Sequence, residues 1–191
     1  MSEEPPSPNV EIKVLTQDPG WAEALDRCEE LAERAARAAL QGQNALVTDW
    51  SKERPVELSL VLANDGLLRR LNRDFRGRDA STNVLSFADF DRTMAEAPGP
   101  VLLGDVILAR ETLILEAHEQ NKSVADHLAH LVVHGVLHLL GHDHEDPSDA
   151  EAMETLERDI LAGLEIADPY LPRDGAPQPS QAPSRAPLGL E

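Results

Sequence analysis

The chain has 191 residues, 41% of them hydrophobic, which suits one globular domain with a hydrophobic core. A net charge of −18 argues against general affinity for nucleic acids, and a single cysteine, Cys28, excludes an internal disulfide framework. The acidic, proline-rich start lacks the pattern of a signal peptide, and no apolar run reaches membrane-spanning length, so we expect a soluble cytoplasmic protein without membrane contact.

The first half of the chain alternates between predicted strands and helices. Apolar residues spaced two apart indicate strands, whereas a spacing of three or four indicates helices. Asn64 or Asp65 can cap the second helix, and Gly77 ends it. In chain order, the predictions are a strand at 9–16, a helix at 21–41, strands at 45–50 and 56–63, and a helix that ends near Phe75.

The second half carries a strongly apolar helix, which ends near Leu140 and which we expect at the centre of the fold. Ser123, with Asp126 three residues later, resembles a capping box at the start of this helix. Gly104 lies inside a predicted strand and indicates a bulge or a close backbone approach. In chain order, the predictions are a strand at 82–87, a loop at 89–100, a strand at 101–108, a helix at 110–120, the apolar helix, and a last helix that begins at Asp146.

Together these elements predict an α/β (α+β) fold, a single domain in which a small mixed sheet packs with helices around a central buried metal-binding helix. We assign residues 9–167 to this domain and expect a flexible N-terminal tail at 1–8. Residues 168–191 are rich in proline, alanine, serine and glutamine, so we expect a disordered tail that the chemistry does not need.

Three histidines at ligand spacing predict a metal site. His134 and His138 lie four residues apart, so a helix presents both rings on one face. Gly141 can end that helix in the left-handed conformation and turn the chain back, so that His144 reaches the same point. Three protein ligands leave a fourth position open, as in catalytic zinc sites. The sequence therefore predicts one zinc ion held by these three histidines.

The same spacing occurs in the metzincin proteases, but Gly135 stands here in place of the glutamate that serves them as general base. His142 can replace or supplement His144, although its side chain should diverge from that of a residue two positions away. His127 and His130 lie upstream on nearly the same helical face. Packing in the core or exposure to solvent would account for them without a metal.

Five arginines crowd into ten residues of this acidic chain. Such a run is usually a solvated helix face. The planar guanidinium group also favours phosphate, which makes a phosphate-binding surface the alternative. The cluster consists of Arg69, Arg70, Arg73, Arg76 and Arg78, with Asp74 among them.

Four segments in one order resemble the YbeY family. They are Leu-Asn-Arg-Asp-Phe-Arg at 71–76, Ser-Thr-Asn-Val-Leu-Ser-Phe at 81–87, Leu-Gly-Asp-Val-Ile at 103–107, and the histidine motif. The resemblance covers roughly residues 56–159. It implies a bacterial zinc-dependent endoribonuclease, specific for single-stranded RNA, that acts in ribosomal RNA maturation, above all at the 3′ end of 16S RNA, and in ribosome quality control.

The resemblance carries the zinc ligands onto His134, His138 and His144, and it places a functionally important arginine at Arg76. For Arg76 the alternative is a structural salt bridge. Asp143, adjacent to a ligand, is the nearest candidate for a proton acceptor in the reaction. A role for Asp143 in orienting a ligand or shaping the turn is equally open.

Two positions depart from the family pattern. Ser81 stands where a proline is common before the threonine, and His142 stands where a tyrosine is common before Asp143. The resemblance also leaves two chemical routes open, because bound zinc can activate water or can polarise a phosphoryl oxygen while a ribose 2′-hydroxyl attacks. The implied partners are single-stranded and ribosomal RNA, a basic ribosomal protein, or a ribosome-associated GTPase.

Two other functions fit the same residues. A zinc peptidase keeps the ligand spacing but lacks the glutamate base. A ribosome assembly factor without catalysis would use zinc only to stabilise its fold, to which structural zinc can contribute on the order of 10 kcal/mol. Loss of function in a ligand variant would therefore not distinguish this assembly factor from an enzyme.

Overall fold

The computed structural model describes residues 9–43, 47, 54–89, 98–144 and 146–171. The predicted tail at 1–8 and most of the predicted tail at 168–191 lie outside these residues, as do residues 90–97 of the predicted loop. The predicted strand at 45–50 is described only at Val47. That residue is buried and donates its N–H to the carbonyl of Gln43, as in a helix rather than a strand.

Four strands form one mixed sheet in the order β1-β2-β4-β3. Strands β1, β2 and β4 are parallel to one another, and β3 runs antiparallel to β4 at one edge. The predicted mixed sheet is therefore confirmed. The strands are β1 (Val10–Thr16), β2 (Val56–Ala63), β3 (Val84–Ala88) and β4 (Val101–Ala109).

Six helices form within the described residues. Two of the predicted caps are confirmed, because the side chain of Asn64 accepts the N–H of Leu67 and that of Ser123 accepts the N–H of Asp126. No helix in the described ranges is long and apolar enough to cross a membrane. The helices are α1 (Gly20–Ala24), α2 (Cys28–Gly42), α3 (Asp65–Arg76), α4 (Arg110–Glu119), α5 (Val124–Leu139) and α6 (Pro147–Gly163).

Helices cover both faces of the sheet in a single domain. Leu58, Leu60 and Leu62 of β2 belong to a large hydrophobic cluster that includes α2 and α5. Val61 and Ala63 of the same strand belong to a smaller cluster under α3. Alternate residues of a strand point to opposite faces, so α5 and α3 lie on opposite sides of the sheet. Helix α5 is buried along most of its length, as its apolar sequence predicts.

The predicted helix at 21–41 is wrong in one respect, because it is broken into α1 and α2. Arg27 separates them with a left-handed φ of 54°. Trp21 in α1 is fully buried and its indole N–H donates to the carbonyl of Ala63 at 2.8 Å. This contact holds α1 against the end of β2, and α2 begins after the break at Arg27.

Gly104 forms both the bulge and the close approach that the sequence predicts. The register of β4 against β2 shifts between Glu57 and Leu58, so Leu103 is an extra residue in β4. The φ of Gly104 is 128°, and a Cβ atom at this position would lie 2.0 Å from the carbonyl oxygen of Phe87. Glycine is therefore required for β3 to pair with β4.

We expect Gly104→Ala to destabilise the protein by about 3 kcal/mol, because the new methyl group combines backbone strain with a clash. Gly163→Ala is the matched control, since that position has open space and no positive φ, and the change should be neutral or slightly stabilising. Urea unfolding followed by circular dichroism measures both. Equal stability of the two variants would contradict the role assigned to Gly104.

Candidate metal centre

Two imidazole nitrogens face each other near the C-terminal end of α5. His134 and His138 lie one turn apart, and their Nε2 atoms are 3.1 Å apart. His144 joins them from the loop after the helix, so that one ring nitrogen of each residue lies within 4.8 Å of the other two. Imidazole nitrogens are ligands of zinc and other transition metals. The structure thus brings the three predicted ligands together in a group that could hold a metal ion.

The turn that returns His144 to the helix begins at Gly141, whose φ of 92° confirms the predicted left-handed conformation. The N–H of Gly141 donates to the carbonyl of His138, and the N–H of His142 donates to the carbonyl of Leu137. These two bonds form a Schellman motif, in which glycine is favoured at the left-handed position. The end of the helix therefore directs the third histidine towards the first two.

A backbone carbonyl fixes the ring of His138. Its Nδ1 lies 2.9 Å from the carbonyl oxygen of His142 and donates to it, which leaves the lone pair of Nε2 for a metal. Burial and the neighbouring ring of His134 lower the pKa of His138, which favours the neutral form that binds metals. His142 therefore serves this site through its main chain, and its ring is not part of the group of three.

A buried carboxylate fixes the ring of His134. Glu157 of α6 is fully buried, and its Oε1 accepts a hydrogen bond from His134 Nδ1 at 2.8 Å. His130 Nε2, at 2.9 Å, and the hydroxyl of Tyr170 donate to its other oxygen. Burial raises the pKa of Glu157, but the hydrogen bonds from His130, His134 and Tyr170 outweigh it and hold the pKa at about 2. The carboxylate is therefore ionised at neutral pH and orients the neighbouring ring.

The sequence analysis missed both Glu157 and Tyr170. Glu157 lies on the apolar stripe of α6 beside Met153 and Ile160, and a charged residue on such a stripe is a usable signal of a buried partner. Tyr170 falls in the segment predicted as a tail and carries no such signal. The structure places its ring edge-on against that of His130, with centroids 5.6 Å apart.

His127 belongs to a second carboxylate network. Its Nε2 lies 2.8 Å from Oε2 of Glu116, and the same oxygen accepts a hydrogen bond from Asn83 Nδ2 at 2.8 Å. His127 and His130 therefore each bind a carboxylate, and neither belongs to the group of ring nitrogens that could hold a metal. Packing within a polar network accounts for both, as the sequence analysis allowed.

The three histidines border a cleft of about 820 Å³. The loop after α5, the edge strand β3, and the end of α3 with the residues that follow it line this cleft. Ser86 of β3 ties two of these parts together, because its hydroxyl donates to the carbonyl of Gly135 at 3.1 Å. The candidate metal centre is therefore open to solvent and to a ligand on one side.

Asp143 lies on this cleft and is exposed. Its Oδ1 accepts the backbone N–H of His144 at 2.7 Å. The structure thus gives Asp143 a part in shaping the turn that carries the third histidine, which is one of the two roles that the sequence left open.

Gly135 packs against the sheet rather than facing the cleft as a site for a base. A Cβ atom at this position would lie 2.5 Å from Cγ1 of Val106, a buried residue of β4. The hydroxyl oxygen of Ser86 would lie 3.1 Å away on another side. A glutamate here would therefore have to displace core side chains, so the position that supplies the base in metzincin proteases cannot supply one in this fold.

Two of the five clustered arginines are neutralised by neighbouring carboxylates. Arg69 pairs with Asp79 at 2.7 Å, and Arg73 pairs with Asp74 at 2.9 Å. These four side chains are more than half exposed, so the pairs contribute little to stability. The two pairs do reduce the positive charge that the cluster offers to an anionic ligand.

The other three arginines form no ion pair within the described parts of the chain. Arg76 and Arg78 line the cleft on either side of Gly77, which ends α3 with a φ of 67°. Arg70 is not one of the described residues that line the cleft. The structural salt bridge that was the alternative for Arg76 is therefore not formed with any described residue.

Comparison with known proteins settles the family. Residues 22–165 match the family model described as Endoribonuclease YbeY. The chain belongs to the YbeY family. The resemblance drawn from the four sequence segments is therefore confirmed, and the matched region includes both the histidine motif and the arginine cluster of this YbeY family member.

Curated YbeY relatives align over nearly their full length. An Endoribonuclease YbeY from Paramagnetospirillum magneticum is 52% identical over 163 residues, covering 84% of this chain and 96% of that protein. Another from Azorhizobium caulinodans is 50% identical over 167 residues, covering 87% of this chain and 100% of that protein. The solution structure of TM1509 from Thermotoga maritima is 21% identical, covers 88% of this chain and 100% of its own, and has a TM-score of 0.49.

We expect Glu157→Gln to weaken Zn²⁺ binding by about 10- to 100-fold, because an amide cannot accept hydrogen bonds from both His130 and His134 as a carboxylate does. Glu151→Gln, on the exposed side of the same helix, is the control and should bind zinc like wild type. Competition with a chromophoric zinc chelator measures the affinity.

Tyr170→Phe provides a milder second variant, because it removes one hydrogen bond from Glu157 and keeps the aromatic ring. Its zinc affinity should fall between those of wild type and Glu157→Gln. Circular dichroism establishes that each variant is folded. Folded Glu157→Gln protein with wild-type zinc affinity would contradict the orienting role of the carboxylate.

Proposed function

We propose that this chain is a zinc-dependent endoribonuclease that cuts single-stranded RNA in the cleft beside the three histidines. One observation carries the proposal: the nitrogens that could hold a metal and two arginines that form no ion pair with a described residue line the same cleft, in a chain whose net charge is −18. Its relatives are named as endoribonucleases, which supports the same class of reaction for this chain. That class is the cleavage of phosphodiester bonds within RNA by a hydrolase.

The donor set supports zinc as the metal and His134, His138 and His144 as its ligands. Three imidazoles form the group, and two of them are oriented by hydrogen bonds at Nδ1, as in histidine ligands of catalytic zinc. Bound there, one zinc ion would supply Lewis-acid chemistry, lowering the pKa of water and polarising a phosphoryl oxygen. The protein would supply fixed ring orientations and an open side towards the cleft.

Arg76 is proposed to hold the phosphate that is cleaved. A guanidinium group binds phosphate oxygens through two parallel hydrogen bonds and stabilises the charge that builds on them during the reaction. Because Arg76 forms no ion pair with the described residues, no partner has to be displaced before it binds. In this proposal Arg76 is a catalytic residue, because it contacts the substrate directly.

Asp143 is the candidate proton acceptor. Position 135 cannot supply a base, and Asp143 is an exposed carboxylate on the cleft beside His144. One of its oxygens accepts the N–H of His144, which leaves the other oxygen open to a water or to a ribose hydroxyl. Both routes, attack by water and attack by the 2′-hydroxyl, use a proton acceptor at this place.

The shape of the cleft supports a single strand as the substrate. Its volume of about 820 Å³ lies within the range of sites that enclose small ligands, about 300–1,000 Å³. Such a space accepts one or two nucleotides whose bases are unpaired. An A-form duplex presents its phosphates on a wide rigid surface, which fits a concave site of this volume poorly.

The biological substrate proposed for this site is ribosomal RNA, with processing at the 3′ end of 16S RNA and ribosome quality control as its roles in the cytoplasm. Family membership supports this part of the proposal. The acidic chain would be repelled by most RNA surfaces, so a basic ribosomal protein or a ribosome-associated GTPase is proposed as the partner that brings it to its substrate. The sequence places the folded domain at residues 9–167, and the contact of Tyr170 with Glu157 would extend it to at least residue 170, with tails on both sides.

The two competing functions differ in how well the geometry supports them. A zinc peptidase needs a base near the metal, and the packing of Gly135 against Val106 removes the position that usually provides it. An assembly factor that uses zinc only for folding accounts for the histidines, but not for the two arginines in the same cleft that form no ion pair with a described residue. The enzyme accounts for both sets of residues.

We expect Arg76→Ala to reduce cleavage of a labelled single-stranded RNA by about 100-fold or more, because the variant loses the cation that stabilises the reacting phosphate. Arg70→Ala is the matched control, since Arg70 lies on the same helix and forms no ion pair with the described residues but does not line the cleft. It should retain activity within about twofold of wild type. Rates are measured with zinc-loaded proteins.

His138→Ala, tested beside these variants, should lose both zinc and cleavage, whereas Arg76→Ala should keep its zinc content and its fold. Equal trace cleavage in wild type, Arg76→Ala and His138→Ala would mean a contaminating nuclease. In that case the non-catalytic assembly factor would become the preferred function. Cleavage by Arg76→Ala at the wild-type rate would remove Arg76 from the mechanism.

A further inference from the structure

Phe75 is an exposed aromatic residue in a chain that has very few. Aromatic residues make up 3% of the chain, and Phe75 is 67% exposed. The other aromatic residues that the structure describes have structural contacts: Trp21 is fully buried, Phe87 is partly buried, and Tyr170 donates to Glu157. A single exposed apolar side chain is common on protein surfaces, so it is the position of this ring, next to the cleft-lining Arg76, that points to a ligand.

The ring lies beside the cleft, although neither Phe75 nor its partner Phe87 is among the described residues that line it. It packs edge-to-face against Phe87 of β3, with ring centroids 5.2 Å apart and planes 68° apart. Both neighbours of Phe87 in the strand, Ser86 and Ala88, line the cleft, and so does Arg76, the residue that follows Phe75. The contact with Phe87 uses part of the ring and fixes its position beside the edge strand, while most of the residue stays open.

The residues around Phe75 favour a nucleic acid over a protein as its ligand. Its neighbours in the exposed part of α3 are charged, Arg73 and Asp74 on one side and Arg76 on the other. A protein interface needs an apolar centre that charged residues do not supply. An exposed ring beside guanidinium groups is instead the combination by which proteins bind single strands, with bases stacked on rings and phosphates held by cations.

We propose that Phe75 is a stacking platform for the base of a nucleotide adjacent to the phosphate that Arg76 holds. This inference rests on the proposed function, because it places Arg76 at the reacting phosphate. Phe75 and Arg76 are consecutive residues at the end of α3, so a phosphate bound to Arg76 would bring a neighbouring base near Phe75. The strand would leave the cleft over β3 with this base lying on the open face of the ring.

The platform has a consequence for substrate choice. Every base has a π-face, so a stacking ring binds different bases with little discrimination but requires that the base be unpaired. Phe75 would therefore select single strands without selecting sequence. An RNA lacking the stacked base should bind more weakly, and only to a protein that has the ring.

The test uses a short single-stranded RNA with one cleavage site and a series in which each nucleotide next to that site is made abasic in turn. Wild type should show a rise in KM of about 5- to 100-fold for abasic RNA at one position. Phe75→Ala should show a similar rise in KM with intact RNA, and its KM should not rise further with abasic RNA. The kcat of this variant should stay close to that of wild type. Phe75→Trp should behave like wild type.

Two controls separate stacking from structure. Phe75→Leu keeps an apolar side chain over Phe87 but has no ring, so it should bind RNA like Phe75→Ala while remaining as stable as wild type. Leu15→Ala changes a residue that is 52% exposed in β1, at the opposite edge of the sheet, and should leave KM unchanged. Wild-type KM in Phe75→Ala, or a loss for abasic RNA that persists in that variant, would overturn the inference.

A binding measurement distinguishes this inference from the proposed catalysis. RNA carrying 2-aminopurine at the identified position should lose fluorescence on stacking with wild type and Phe75→Trp, but not with Phe75→Ala or Phe75→Leu. Quenching that depends on Phe75 without any cleavage would support the platform and overturn the endoribonuclease. Cleavage without this quenching would overturn the platform and leave the endoribonuclease in place. The same holds if Phe75→Ala binds RNA like wild type but loses binding to a protein partner.

Discussion

The buried carboxylate of Glu157 is the group on which the candidate metal centre and the C-terminal part of the domain both depend. It lies on α6, while its donors His130 and His134 lie on α5 and Tyr170 lies beyond α6, so separate pieces of chain meet at two oxygens. Leaving a buried charged group without one of its hydrogen-bond donors costs about 1–3 kcal/mol or more. The ring of His134 is therefore coupled to the packing of α6, and it cannot turn away without leaving a buried charge partly uncompensated.

The layers of the fold bring two chemically different sets of residues to one edge. The histidines come from a helix on one face of the sheet and the loop after it, the arginines come from the end of a helix on the other face and the residues after it, and the two sets meet beside the edge strand β3. Asp74 and Asp79 pair with two arginines of the cluster, and two of the remaining three line the cleft. An anion approaching an otherwise repelling surface thus finds one attractive place.

Most of the fold could be predicted from the sequence, because its signals act over a few residues. The caps at Asn64 and Ser123 and the bulge at Gly104 each follow from local hydrogen bonding or backbone geometry. The prediction failed at Arg27, where the expected long helix breaks. On the N-terminal side of the break, the indole of Trp21 donates to the carbonyl of Ala63, a contact between residues 42 positions apart that no local pattern reports.

The sequence by itself determined the candidate ligand set, because one helical turn and the glycine that ends the helix dictate where His134, His138 and His144 can meet. Only the tertiary structure decided what supports these ligands and which arginines are available. Glu157 lies 23 positions from His134, and Asp79 lies ten positions from the arginine it neutralises. These contacts depend on how distant segments pack against one another. The periodicity of strands and helices carries no information about which side chains then come into contact.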